Sequence, residues 1–186
     1  HCYNGRSNRV CIPKRERARC QRQFGSDFHS FPEALKRVLR QDPDIIMVGE
    51  MRDLETIAAA LTLAETGHLV FATLHTPNAI QTIDRIVDVF PPYQQQQIRT
   101  QLSLSLRAIV AQRLVPCSHG GRIAQREVLI NTPAVANIIR DNRAPELTSV
   151  LQTGRDTGMC TFGKHAKELY KEGQIDKETY DWVKEG

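Results

Sequence analysis

The apolar positions of this chain fall into two rhythms that alternate from residue 30 onward. Ile45-Ile46-Met47-Val48 is an uninterrupted apolar run, preceded by Asp42-Pro43 and closed by Gly49, and reads as a short buried strand. Before it, Ser30-Phe31-Pro32-Glu33 forms a capping box, with Phe31, Leu35, Val38 and Leu39 on one helical face. After it, Asp53 is placed to cap a second helix with Ile57, Ala60, Leu61 and Ala64 as its buried stripe and Gly67 as its stop. His68–Leu74 (HLVFATL) reads as a second strand. Thr76 and Pro77 then suit the N-cap and first position of a helix bearing Ile80, Ile83, Ile86 and Val87. Pro91-Pro92 breaks the chain again, and the pattern beyond it predicts a helix of about 20 residues to roughly Arg113. Gly120-Gly121 marks a turn, Ile123–Ile130 a strand, and Thr132-Pro133 another cap pair, followed by helices that stop at Gly154 and Gly173. Helices between parallel strands predict an α/β core whose strand C-termini share one edge, where such folds bind ligands.

Composition narrows the picture. The 186 residues, 40% hydrophobic and 25% charged, suit one ordinary domain or part of one. No apolar run approaches the ~20 residues of a membrane span, so the expected location is cytoplasmic. The chain begins at His1 and is expected to be a fragment. Five cysteines, at 2, 11, 20, 117 and 160, lack C-x-x-C spacing and predict free thiols without a zinc site. The net charge of +4 is uneven: residues 1–22 carry seven basic side chains and one acid, a net +6, so the remainder sums to −2. With one aromatic and no groove-reading motif in that tail, nucleic acid is not the expected partner.

Candidate chemistry begins at Glu50. A buried strand that delivers a carboxylate to its C-terminal edge provides what a nucleotide hydrolase needs to orient a water at a phosphate. The chain also contains Gly158-Met159-Cys160-Thr161-Phe162-Gly163-Lys164-His165, which fits G-x-x-x-x-G-K but has His165 in place of the Mg²⁺-binding hydroxyl. The polar text before it is not a buried strand, so it is not read as a phosphate loop. His68 and His75 stand at opposite ends of one strand and cannot share a local metal site; no protein-held metal is expected.

The block from Gln21-Arg22 through LRQDPDIIMVGEMRDLETIAAALTLAETGHLVFATLHTPNAIQTIDRIVDVFP closely resembles the type II/IV secretion ATPase superfamily, in particular its PilT-type branch of type IV pilus retraction motors. The resemblance covers roughly residues 20 to 172. It implies a partial RecA-like P-loop NTPase core over residues 20–130, lacking its phosphate loop, then a helical region over 131–186, with 1–19 a basic, poorly ordered segment. It implies a homohexamer that uses ATP and Mg²⁺ to disassemble a pilus, at the cytoplasmic face of the inner membrane, with a membrane platform protein and related motor ATPases as partners.

Carried over by position, Ile45, Ile46, Met47, Val48 and Gly49 resemble the Walker B strand, with glycine at the usual aspartate position, and Glu50 the catalytic carboxylate. His75 resembles the histidine that reports the γ-phosphate state; His68, Arg52 and Arg85 match further sensing or interface positions. An ordinary core histidine and ordinary helix-face arginines are the alternatives. AQRLVPCSHGGR (111–122) has only Cys117 and His119 where assembly ATPases carry four zinc ligands, which favours the retraction branch over a type II secretion or pilus-assembly relative. AVANIIRD (134–141) keeps Asn137 and Arg140 of the family's pilus-coupling helix, with Ala136 replacing an arginine. The text before Gln21 contains neither the family's phosphate loop nor its acidic magnesium box, so the ATPase is expected to be incomplete. A non-catalytic interface or regulatory module is the alternative.

Overall fold

The computed structural model describes residues 2–4, 20–22, 27, 29–30, 33–34, 37–38 and 40–184. Two compact units divide between His75 and Thr76. The first holds a four-stranded parallel sheet, ordered β2-β1-β3-β4, from β1 (Cys2–Asn4), β2 (Cys20–Arg22), β3 (Ile45–Val48) and β4 (Leu69–Ala72). Only Cys2–Asn4 of the segment expected to be poorly ordered are among the described residues, and they pair in this sheet. Of the helix predicted after Ser30, residues 33–34 and 37–38 are helical and Ala34 and Val38 are buried, whereas Phe31, Leu35 and Leu39 lie outside the described residues.

Helix α1 (Leu54–Glu65) is capped as its sequence requires: the Asp53 carboxylate accepts from the Thr56 amide at 2.8 Å. Its buried face is broader than expected, with Thr56, Ile57, Ala60, Leu61 and Leu63 inside and Ala64 only half-buried. The reason is Leu63, which packs with Val38, Ile46 and Val48 and the flanking Met51, Ala59 and Val70 to make the core of this unit.

The second unit begins with α2 (Ala79–Asp88), whose N-cap is Asn78, not Thr76: the Asn78 side chain accepts from the Gln81 amide at 2.8 Å. Thr76 instead pairs its hydroxyl with that of Thr82 at 2.7 Å. Helix α3 (Pro92–Ser105) ends well short of Arg113. The residues predicted to continue it form β5 (Ala108–Pro116), antiparallel to β6 (Arg122–Ile130) with Ala108 opposite Ile130 and Pro116 opposite Arg122. Period-two burial explains the change: Ile109, Ala111 and Val115 turn inward while Val110, Gln112 and Leu114 turn out. Asn131 Nδ2 donates to the carbonyls of Ser103 and Leu106, both at 2.9 Å, and so stops α3 from a distance.

Beyond β6 come α4 (Pro133–Arg140), α5 (Leu147–Thr153), α6 (Phe162–Lys171) and α7 (Lys177–Val183). Helix α4 starts on the predicted Thr132-Pro133 cap pair. Val128 bridges Cys160 and α6 packs on β6, which ties the helices after residue 130 to the hairpin. Val115, Ala166, Leu169, Ile175 and Val183 form the core that joins hairpin and helices.

One buried carboxylate serves the start of α2. Glu127, 9% exposed in β6, accepts from the Ala79 amide at 2.9 Å, filling one of the N-terminal donors that Asn78 does not reach. We expect Glu127→Ala to lower unfolding stability by about 1–3 kcal/mol, because it leaves that buried amide without an acceptor; denaturant titration against the unchanged chain measures it.

Candidate functional site

The C-terminal edge of the first unit's sheet gathers three of the residues singled out in the sequence. Glu50 stands two residues beyond β3 and His75 three beyond β4, and since these strands run parallel, both leave the sheet on the same side. Oε1 of Glu50 lies 2.5 Å from Nε of Arg52 and 3.3 Å from Nε2 of His75. Glu50 is the least exposed of the three side chains, at 27% against 61% for Arg52 and 84% for His75. A partly shielded carboxylate between an exposed guanidinium and an exposed imidazole is positioned to meet a ligand arriving at the edge. The Glu50 carboxylate, through its hydrogen bond first and its charge second, raises the affinity of the Arg52 guanidinium for its proton.

Sequence reasoning missed the residue that holds Glu50 in place. The Thr73 hydroxyl donates to the Gly49 carbonyl, and the Thr73 carbonyl accepts from the Met51 amide at 3.0 Å. Glu50 therefore sits between two backbone attachments to the extension of β4. Thr73 was legible only as the sixth residue of a strand; that its hydroxyl crosses to residue 49 depends on the parallel register.

His68 is not part of this constellation. It lies at the opposite, N-terminal end of β4, where Nδ1 is 3.2 Å from the Leu63 carbonyl and 3.1 Å from the Thr66 hydroxyl, and its amide donates to the Leu63 carbonyl. These contacts tie the turn after α1. Arg85 belongs to the second unit, exposed in the last turn of α2, where a cation complements the helix C-terminus. Asn137 and Arg140 are exposed together on α4, with Arg140 Nη2 donating to Asn137 Oδ1 at 2.6 Å and Nε lying 3.6 Å from Asp141.

The G-x-x-x-x-G-K stretch has another explanation. Gly158 takes a left-handed φ of 86° where the chain turns after residues 154–157. Gly163 lies inside α6, where a Cβ would meet the Lys184 carbonyl at 2.8 Å, so it permits the close approach of the α7 end. Lys164 Nζ donates to the Gln152 carbonyl at 2.5 Å, and His165 Nδ1 accepts from the Arg126 amide at 3.2 Å. Among the described residues no group of three or more His, Cys, Asp or Glu is disposed to hold a metal ion.

Comparison with known proteins matches this architecture to one family. The family model described as "Type II/IV secretion system protein" matches residues 16–184. The chain is 51% identical over 158 residues to the type IV pilus retraction ATPase PilT of Pseudomonas aeruginosa, covering 85% of this chain and 46% of that protein. It is 51% identical over 159 residues to a twitching motility protein of Neisseria gonorrhoeae, covering 85% and 42%. It therefore spans about half the length of the curated relatives it matches. A solved structure of the pilus retraction motor PilT with bound ADP superimposes with a TM-score of 0.87 at 43% identity, over 98% of this chain and 51% of that one. The Legionella pneumophila ATPase DotB gives 0.84 at 29% identity, over 98% and 50%.

Proposed function

The chain belongs to the type II/IV secretion system protein family, and from that premise we propose that it is one half of a hexameric motor ATPase that couples ATP hydrolysis to type IV pilus retraction and twitching motility. On this reading the first unit is part of a RecA-like core, and the phosphate-binding loop comes from outside the described residues. The observation that carries the reading is the placement of Glu50 at the strand edge, held through Thr73 and within 3.3 Å of His75.

MgATP is the substrate. The Mg²⁺ ion would arrive on its phosphates, in keeping with an ion that takes one or two protein carboxylates rather than a closed cage. Glu50 orients the attacking water and takes its proton as the new bond to the γ-phosphorus forms; the bond to the bridging oxygen breaks and ADP leaves. His75, on the same carboxylate oxygen as Arg52, senses whether the γ-phosphate is present, because a phosphate oxygen competes with Glu50 for its Nε2. Arg85 acts at the subunit interface of the homohexamer. The assembly works at the cytoplasmic face of the inner membrane beside its platform protein and related motor ATPases; no helix among the described residues is long and apolar enough to cross a membrane.

The test replaces the matched region of the P. aeruginosa retraction ATPase with this chain and asks for twitching in a strain lacking its own motor. Hydrolysis and twitching are expected; absence of both from a folded hexamer would refute the motor reading. A second variant separates chemistry from coupling. Arg140 is on the surface of α4, where its guanidinium reaches Asn137 and Asp141 of the same helix end. Arg140→Ala is therefore expected to change ATP hydrolysis less than about twofold while abolishing twitching. Equal loss of both would assign α4 to the fold instead.

A further inference from the structure

Little holds His75 directly. Its imidazole is exposed and meets Glu50 Oε1 at 3.3 Å, and among the described residues neither Leu74 nor His75 makes a backbone hydrogen bond. The chain is instead tethered on either side of them. Before them, the Thr73 carbonyl accepts from the Met51 amide at 3.0 Å. After them comes Thr76-Pro77-Asn78-Ala79, a segment constrained at every residue.

Thr82 supplies one set of tethers. Its hydroxyl donates its single proton to the Asn78 carbonyl at 2.8 Å, so in the 2.7 Å pair with Thr76 it is Thr76 that donates. The Asn78 carbonyl also accepts from the Thr82 amide at 3.1 Å, and between Thr76 and Asn78 the ring of Pro77 fixes φ. Glu127 supplies the other tether. It lies 48 residues further along the chain, in β6, and accepts from the amide of the fully buried Ala79 at 2.9 Å. Among the described residues its carboxylate makes no other hydrogen bond. Only Leu74 and His75 separate the tethered Thr73 from the tethered Thr76. Each residue adds at most about 3.6 Å of reach, so this span absorbs little displacement, and a shift of residues 76–79 is passed to the histidine.

We infer that Glu127, with Thr82, is a positioning residue for His75: it fixes the segment that leaves the histidine and so keeps the imidazole on the Glu50 carboxylate. Glu127 acts through backbone and not on the reacting groups. The inference rests on the reading of His75 as the sensor of the γ-phosphate. A Glu127 that served stability alone would weaken the fold without moving the imidazole, so the two roles have different signatures.

The experiment has a structural and a kinetic arm. In the chain alone, NMR follows the cross-peak between the His75 ring and the Glu50 side chain, while amide exchange in α3 reports that the fold is retained. The cross-peak is expected in the unchanged chain and in Glu127→Gln, which keeps an acceptor oxygen, and is expected to be lost in Glu127→Ala. In the P. aeruginosa retraction ATPase whose matched region this chain replaces, Glu127→Ala is expected to lower kcat at least about tenfold with KM within about twofold, and Glu127→Gln to stay within about threefold of the unchanged motor. In a His75→Ala background, Glu127→Ala is expected to add less than about twofold, because the group it positions is gone. Thr82→Val removes both hydroxyl bonds at nearly the same shape; it is expected to behave as Glu127→Ala does in both arms, and carries the test if Glu127→Ala fails to fold. A cross-peak absent from the unchanged chain or surviving in the folded variants would overturn the inference. So would an unchanged kcat, no recovery in Glu127→Gln, or an equal kinetic loss with and without His75. The two readings fail separately: a cross-peak that depends on Glu127 beside a chimera without hydrolysis retains the positioning role and removes the motor, and hydrolysis with an unmoved cross-peak does the reverse.

Discussion

Glu50→Gln, introduced into the P. aeruginosa retraction ATPase whose matched region this chain replaces, is expected on the proposed function to reduce ATP turnover by about a hundredfold or more, the upper range for losing a positioned base, while leaving nucleotide affinity within about twofold. The substitution suits the geometry. Glutamine keeps an oxygen within reach of Arg52 Nε and His75 Nε2, which lie 2.5 and 3.3 Å from Oε1, so the edge retains its shape and loses its capacity to take a proton. Arg52→Ala provides a control: it removes the guanidinium that bonds Glu50 Oε1 and leaves the base. Single-turnover and binding measurements on both variants distinguish the roles. Turnover unchanged in Glu50→Gln would refute the assignment, and equal loss in both variants would move the essential function from the carboxylate to the ion pair. Thr73→Val provides a further control, since it removes the hydroxyl that reaches the Gly49 carbonyl without touching Glu50 itself.

What could be read in advance divides along the line between local and cross-chain causes. β3 and the Asp53 cap were legible because a four-residue apolar run and a capping carboxylate act within a few residues of themselves. The edge position of Glu50 was legible for the same reason: it follows from where the strand stops. The end of α3 was not, because the feature that stops it is the Asn131 amide, 25 residues beyond the Leu106 carbonyl it binds. Residues 108–116 carry Ile109, Val110, Leu114 and Val115 at spacings that fit either period. Their strand state is decided by β6, which pairs with all nine of them. The N-cap of α2 falls on Asn78, two residues past the expected Thr76, whose hydroxyl pairs with that of Thr82 while Glu127 takes the Ala79 amide. Glycines of the G-x-x-x-x-G-K stretch, which the missing hydroxyl and the polar context argue against as a phosphate loop, illustrate a different point. A motif can be assembled by unrelated structural demands, a turn at Gly158 and a close backbone approach at Gly163.

Gln125→Ala is expected to lower the stability of the chain by about 2–4 kcal/mol, combining the cost of a cavity with that of an unpaired charged donor. Gln125 is fully buried in β6 and bonds in three directions. Its Oε1 accepts from Arg113 Nε at 2.7 Å, and its Nε2 donates to the Phe162 carbonyl at 2.8 Å and, longer, to the Val183 carbonyl at 3.4 Å. Arg113 in turn donates through Nη2 to the Val183 carbonyl at 2.8 Å and lies over the Phe162 ring at 4.7 Å. The hairpin thus holds the first residue of α6 and the last of α7 through one amide and one guanidinium. Burial lowers the proton affinity of Arg113, with the Glu127 charge opposing that shift, so an acceptor lost here is lost where water replaces it poorly. The Val183 carbonyl keeps its bond from Arg113 in the variant; the deficit therefore falls on Arg113 Nε, on the Phe162 carbonyl, which loses the Nε2 donor, and on the vacated volume. Gln125→Leu separates the two, since it restores most of the volume without the acceptor and is expected to recover less than half of the loss. Urea titration followed by circular dichroism gives the midpoints, and amide exchange in α7 is expected to accelerate more than exchange in α3. A loss below about 0.5 kcal/mol, the range of an ordinary surface change, would show that the cluster is not what secures the C-terminal helices.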